Sequence, residues 1–132
     1  MIELDTALYG TLTAYAGLTA LVSTRVYQTE APQGAALPFV VFNHQAGGLQ
    51  NTEPTDRIDH LVYVRGFATT QMGAALVDAQ VKLALHKVVL TISGWQGFET
   101  KRENEIALVE RDSAGAQVWQ RGAMYRIRAV DV

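Results

Sequence analysis

Hydrophobic positions near the start of the chain recur at the spacing of an α-helix. They fall every three or four residues and form one apolar stripe over residues 2–16. Gly17 predicts the end of this helix, because glycine readily adopts the left-handed conformation found at helix C-termini. A second, short helical segment follows over residues 18–22. The residues of the stripe are Leu4, Leu8, Leu12 and Tyr15.

A longer helical pattern covers residues 70–86, where Thr70 can cap the N-terminus. Its polar residues Gln71, Asp78 and Lys82 are predicted to face solvent. Asp78 can pair with Lys82 one turn further on. The stripe predicted to face the core consists of Met72, Leu76, Ala79 and Leu83, widened by Val77, Val81 and Leu85.

Six segments have the pattern of β-strands. The apolar run 39–42 does not alternate, which is typical of a strand covered on both faces. The last segment alternates, with Tyr125 predicted inward and Arg126 and Arg128 outward. Residues 101–105 are predicted to be a charged connector. The six segments are 25–29, 37–45, 57–67, 88–93, 106–111 and 117–130.

Two polar segments join neighbouring strands. The stretch 47–55 predicts a mobile loop, and residues 112–115 predict the turn of a hairpin. The order of elements is αββαβββ or close to it. We therefore predict one α+β domain over residues 1–132, with a largely antiparallel mixed sheet of about four to six strands. An N-terminal helix and one long central helix pack on this sheet.

Composition narrows the classes of function. Of the 132 residues, 48% are hydrophobic and only 18% are charged, which hints that a partner covers part of the surface. The net charge of −2 gives no basic footprint for nucleic acid. The lack of cysteine excludes disulfides, thiol catalysis and thiolate metal sites. No apolar run approaches the ~20 residues of a membrane span, so no membrane partner is expected.

Candidate chemistry is sparse. His44 and His60 would lie roughly opposite each other if their strands form a hairpin, and Glu53 is the only nearby third ligand. Zinc needs more ligands than these supply, so two half-exposed strand histidines are the favoured interpretation. The serines lack the context of a nucleophile, and the glycine-rich stretches lack phosphate-loop spacing. We therefore predict no catalytic residue, no metal and no cofactor.

Three cations, Arg121, Arg126 and Arg128, predict a small basic strip on the last strand. An exposed sheet face is the favoured interpretation, and a patch for an acidic partner is the alternative. Trp95 and Trp119 are candidates either for an interface or for the core.

Several local motifs resemble the tail terminator, or tail-completion, proteins of long-tailed (siphovirus-type) bacteriophages and related gene transfer particles. The order of elements agrees over most of the chain, and the local sequence agrees over residues 16–42. The motifs are Ala16-Gly17-Leu18, Leu21-Val22, Thr24-Arg25-Val26-Tyr27, the loop from Ala31 to Pro38, Phe39-Val40-Val41 and Arg65-Gly66-Phe67-Ala68.

The resemblance implies a virion structural subunit without enzymatic activity. Such subunits form a homo-oligomeric ring, commonly a hexamer, at the head-proximal end of the tail. The ring caps the tail tube, ends its polymerisation and joins the tail to the head–tail connector protein. DNA passes through the channel without being read, and assembly takes place in the host cytoplasm.

Three alternatives stay open at this point. One is another head–tail joining protein with the same fold. The second is a small metal-dependent enzyme that uses His44 and His60, and the third is a cytoplasmic adaptor. For the favoured function, the loop and the turn are expected to reach neighbouring proteins. The candidate interaction residues are Gly48, Gln50, Asn51, Glu53, Asp112, Ser113, Arg126 and Arg128.

Overall fold

The structure is a computed structural model that describes residues 1–50, 53 and 55–132. Within these residues, three helices and six strands follow one another. They are α1 (Ile2–Ala14), α2 (Ala16–Val22), β1 (Val26–Gln28), β2 (Phe39–Leu49), β3 (Arg57–Ala68), α3 (Gln71–Leu85), β4 (Trp95–Gly97), β5 (Lys101–Arg111) and β6 (Gln117–Asp131).

The six strands form one mixed sheet in the order β1-β2-β3-β6-β4, and β5 also pairs with β6. Only β1 and β2 run parallel; the other pairs are antiparallel. Both β4 and β5 pair with the same edge of β6, each along a different stretch of that strand. The predicted α+β class, with a largely antiparallel mixed sheet, is confirmed.

All three helices pack on one face of the sheet, which we call the helix face; the opposite face is the open face. The alternation along β3 sets this division, since Ile58, Val62 and Val64 point into the core under the helices. Leu61 and Phe67 point to the open face. The predicted stripe of α1 is confirmed for Leu4, Leu8 and Leu12, which are fully buried, whereas Tyr15 lies just beyond the helix and is partly buried.

For the central helix, the predicted burial is confirmed at Val77, Val81 and Leu85 but is wrong at the other four predicted core positions. Its outward side carries Met72, Leu76 and Leu83, which are 69%, 50% and 60% exposed. The helix instead turns a narrower stripe of smaller residues to the sheet, and this allows a close approach. A Cβ added to Gly66 on β3 would lie 2.5 Å from a methyl of Val77. The buried residues of α3 are Ala74, Val77, Asp78, Val81, Ala84 and Leu85.

Two predicted segments near the C-terminus also differ from the structure. Residues 101–105 are strand rather than connector, since β5 begins at Lys101, opposite Arg126. A bulge between Glu103 and Glu105 accommodates the irregular pattern. The strand predicted at 88–93 is wrong: this segment makes only isolated bridges, and the strand of this region is β4, which begins at Trp95.

The loop predicted at 47–55 begins later than expected. β2 continues to Leu49, and the Gln50 N–H still donates to the Arg57 carbonyl at 2.9 Å. Gly47 permits this pairing. It adopts a φ of 108°, and a Cβ there would lie 2.0 Å from the Asp59 carbonyl oxygen. The connection between β2 and β3 therefore covers residues 50–56.

Candidate interaction surfaces

The two predicted interaction segments lie at opposite ends of the sheet. The turn at 112–115 precedes the first residue of β6, whereas the 50–56 connection precedes Arg57, which pairs with Val130 near the end of β6. β6 has 15 residues, so the two segments are separated by about 40–50 Å of strand. The fold does not bring them together into one site.

The 112–115 turn has a defined shape. A carboxylate oxygen of Asp112 accepts hydrogen bonds from the backbone N–H groups of Ala114 and Ala116, at 3.0 and 2.9 Å. Gly115 takes a φ of 84° that suits the turn. Asp112 therefore supports the turn from within, while Ser113 is exposed at its tip.

At the other end of the sheet, the candidate residues lie near the end of β2 or in the connection that follows it. Gly48 lies in β2 opposite Asp59, and Gln50 is the first residue of the connection. Glu53 is exposed. Asn51, the remaining candidate there, lies outside the described residues.

The basic strip predicted on the last strand is wrong, because neighbouring residues of a strand alternate between faces. Arg121 lies on the helix-face side, while Arg126 and Arg128 lie on the open face. Arg126 contacts Glu103 at 2.8 Å and Asp59 at 2.9 Å. Because Arg128 also reaches Asp59, at 3.6 Å, this part of the open face is close to electrically balanced.

An aromatic cluster on the open face was missed in the sequence. The Phe39 ring lies 5.8 Å from Tyr27 and 4.9 Å from Phe67, measured between centroids. The Arg65 guanidinium lies 4.9 Å from the Tyr63 ring and 5.2 Å from Phe67. The only sequence signal was that these residues take the outward positions of their strands. Pairing of β1, β2 and β3 brings them together.

The two strand histidines do lie close to each other. The rings of His44 and His60 are 5.1 Å apart, and His44 Nε2 lies 2.5 Å from Asp5 Oδ1 on α1. The acid beside the pair is therefore Asp5 rather than Glu53. Within the described ranges, no group of three or more His, Cys, Asp or Glu residues is arranged to hold a metal ion.

The environment of this pair lowers two pKa values. Burial lowers the pKa of His60 below its usual 6.5, and the neighbouring His44 lowers it further. Burial alone would raise the pKa of Asp5, but hydrogen bonds from His44 and Gln28 outweigh it, so the pKa falls below 3.8. The fold therefore favours a neutral His60 and an ionised Asp5.

Stability is therefore expected to decrease on acidification in two stages. Because the pKa of His60 is depressed in the folded state, the unfolded chain binds a proton first as the pH falls below about 6.5. The contribution of Asp5 is present above its unfolded pKa and is lost as the pH falls below about 4.

Urea unfolding between pH 8 and pH 5 should show a falling free energy of unfolding. The slope should be smaller in His60→Gln, and an unchanged slope would contradict this origin.

A buried ion pair joins α3 to β5 and β6. Arg102 donates to both carboxylate oxygens of Asp78, at 3.0 and 2.7 Å, and to the Tyr125 hydroxyl at 2.6 Å. The side chains of Arg102 and Asp78 are only 6% and 12% exposed. Burial raises the pKa of Tyr125 to about 12, although Arg102 opposes the shift. The predicted pairing of Asp78 with Lys82 is wrong, because Asp78 faces the sheet.

These features define a class: an α+β subunit with helices on one face of a curled mixed sheet and exposed residues at both ends of its long strands. A sequence model of the family described as tail completion protein gp17 matches residues 6–126. The chain therefore belongs to this tail-completion family, and the resemblance inferred from residues 16–42 is confirmed. No curated protein matches the chain significantly.

Two solved structures share the fold. A chain in the virion of a native gene transfer agent particle has a TM-score of 0.73 and 21% identity, over 96% of this chain and 94% of that one. The gp17 protein of bacteriophage SPP1 has a TM-score of 0.51 and 19% identity, over 99% and 89% of the two chains. In the described part of the chain, no helix is long and apolar enough to cross a membrane.

Proposed function

We propose that this structural subunit forms a ring, a hexamer by the analogy with its family, at the head-proximal end of a phage-type tail. The ring caps the tail tube, ends its polymerisation and joins the tail to the head–tail connector. The role requires no catalysis and no cofactor. The particle is a phage or gene transfer agent, and its tail is assembled in the host cytoplasm.

The position of the 50–56 connection and the 112–115 turn at opposite ends of the sheet supports this function. A protein that joins a tube to a connector needs two separate binding surfaces that point in different directions. We assign Gly48, Gln50, Asn51 and Glu53 to one surface and Asp112 and Ser113 to the other. Which of them meets the tube is decided by the experiment below.

The charge of the open face also suits a channel. Arg126 and Arg128 are offset by Asp59 and Glu103, so this part of the face lacks the dense positive charge that holds DNA through its phosphates. DNA can then pass without being retained. We propose that Arg126 and Arg128 contribute to this balance rather than to a basic docking patch.

Separate changes at the two ends test the proposal. One variant replaces residues 50–55 with a glycine–serine segment of equal length. The other carries Ser113→Lys and Ala114→Lys, which leave the supporting Asp112 in place. Both should fold, since the changed positions with described surroundings are exposed. One variant should lose length control of tail tubes and the other should lose attachment of heads.

The measurement is electron microscopy of tails assembled without the native protein and supplemented with each variant. Thermal unfolding of each variant provides the control for folding. Two folded variants that retain both functions would contradict the two-ended arrangement. Binding to the connector without any effect on tube length would favour another head–tail joining role for the same fold.

A further inference from the structure

The outward side of α3 is an apolar stripe without a partner in the described structure. Its members, Met72, Leu76, Ala79 and Leu83, follow at intervals of four, three and four residues, so they form one line along the helix. All four are exposed, and the buried stripe occupies the opposite side. A helix that is apolar on two opposite sides is typical of one covered on both.

A second apolar segment lies on β5, at residues 106–109. We call it the edge segment; it has the sequence Ile-Ala-Leu-Val. Leu108 is 51% exposed and Val109 is 46% exposed, although they point to opposite faces of the strand. β5 pairs only with β6 among the described strands, so its outer edge has no strand neighbour there. An exposed apolar edge of this kind favours association with another chain.

The charges beside these two surfaces are complementary. Lys82 and Lys87 lie exposed along and just beyond the C-terminal half of the α3 stripe, and neither takes part in an ion pair among the described residues. Glu105 and Glu110 are exposed beside the edge segment; Glu105 also lies 3.4 Å from Arg102, and Glu110 accepts a hydrogen bond from Gln120. A surface flanked by lysines and a surface flanked by glutamates therefore occur on the same chain.

We infer that the edge segment of one copy packs against the α3 stripe of the next copy. The two surfaces do not cover each other within one chain, because both remain exposed. A contact between two different surfaces of identical chains is heterologous, and repetition of such a contact closes into a ring when the rotation permits. The inference rests on the proposed ring and names the contact that builds it.

Engineered cysteines test the contact directly, because the natural chain has none. Leu76→Cys is mixed with Val109→Cys or with Leu108→Cys, and a short bis-maleimide reagent is added. A cross-linked dimer is expected in a mixture but not from Leu76→Cys alone. Leu49→Cys, at a leucine of similar exposure elsewhere on the sheet, provides the matched control in place of Leu76→Cys. Cross-linking of Leu76→Cys to itself would indicate a symmetric helix–helix contact and would overturn the inference.

Charged variants give an independent result. Leu76→Asp and Leu108→Asp should each weaken self-association at least about tenfold, as measured by light scattering. A mixture of the two should form dimers of one copy each, since one has an intact edge segment and the other an intact stripe. Leu49→Asp should associate like the natural chain.

The remaining outcomes separate this inference from the proposed function. Rings without the expected cross-links would overturn the contact and leave the ring intact. A natural chain that stays monomeric at millimolar concentration would also overturn the contact. The capping function would then be decided by the tail-assembly measurement alone.

Discussion

Replacing Arg102 with alanine is expected to lower the free energy of unfolding by about 3–5 kcal/mol. The change leaves the Asp78 carboxylate buried without its bidentate partner and removes the hydrogen bond that Arg102 donates to the Tyr125 hydroxyl. A buried charge that loses its counter-charge keeps its desolvation cost but loses the attraction that offset it. Urea unfolding followed by circular dichroism measures the effect.

Arg128→Ala is the matched control, because Arg128 is 58% exposed and reaches Asp59 only at 3.6 Å. An exposed pair of this kind contributes about 1 kcal/mol or less. The double variant Arg102→Met, Asp78→Leu should recover most of the loss, since two apolar side chains leave no unpaired charge. Equal effects of Arg102→Ala and Arg128→Ala would contradict the assigned role of the buried pair.

The second large effect is expected at α1. Leu8→Ala should lower the free energy of unfolding by about 2–5 kcal/mol, because Leu8 is fully buried and its truncation leaves a cavity between helix and sheet. The same unfolding measurement applies. Ile2→Ala on the same helix is the control: Ile2 is 75% exposed, and its truncation should change stability by about 0.5 kcal/mol or less.

Both effects are large against the stability of an ordinary domain, which is about 5–15 kcal/mol. Variants at Arg102 or Leu8 would therefore impair assembly simply by destabilising the subunit. The assembly experiments use Leu76, Leu108 and Ser113 instead, whose side chains are exposed and whose replacement leaves the core intact.

Hydrophobic patterns in the sequence predicted the buried residues correctly in elements that show a single, clear periodicity. α1 has a single apolar stripe, and β6 alternates cleanly, so Leu8 and Tyr125 were both placed in the core correctly. The strand at 57–67 was predicted within one residue of β3. The class of fold followed from the order of these elements.

The same reasoning failed where two interpretations of one pattern were possible. α3 has apolar residues on both sides, and the larger ones, such as Leu76, were placed inward. Smaller residues face the sheet instead, since Val77 lies close to Gly66 of β3. The high charge of residues 101–105 led to the wrong prediction of a connector there. These residues are polar yet belong to a strand, because Arg102 and Glu103 find partners on neighbouring elements.

For the candidate interaction residues, too, some features follow from local sequence and others depend on the fold. Turn chemistry alone located the 112–115 turn, since Asp112 and Gly115 have strong local preferences. That this turn and the 50–56 connection lie at opposite ends of the sheet depends on the pairing of β3 with β6. The exposed edge segment also depends on strand order, which no local pattern contains.

Local patterns in the sequence were enough to predict the α+β class, the helix α1, most of the strands and the resemblance to tail-completion proteins. Each depends on local periodicity or on turn residues, which act over a few neighbouring positions. Three other features became known only from the three-dimensional fold: the buried side of α3, the binding of Arg102 to Asp78, and the apolar surfaces that remain exposed. These depend on contacts between residues distant in the chain, where the close approach of backbones and the pairing of buried charges outweigh local preference.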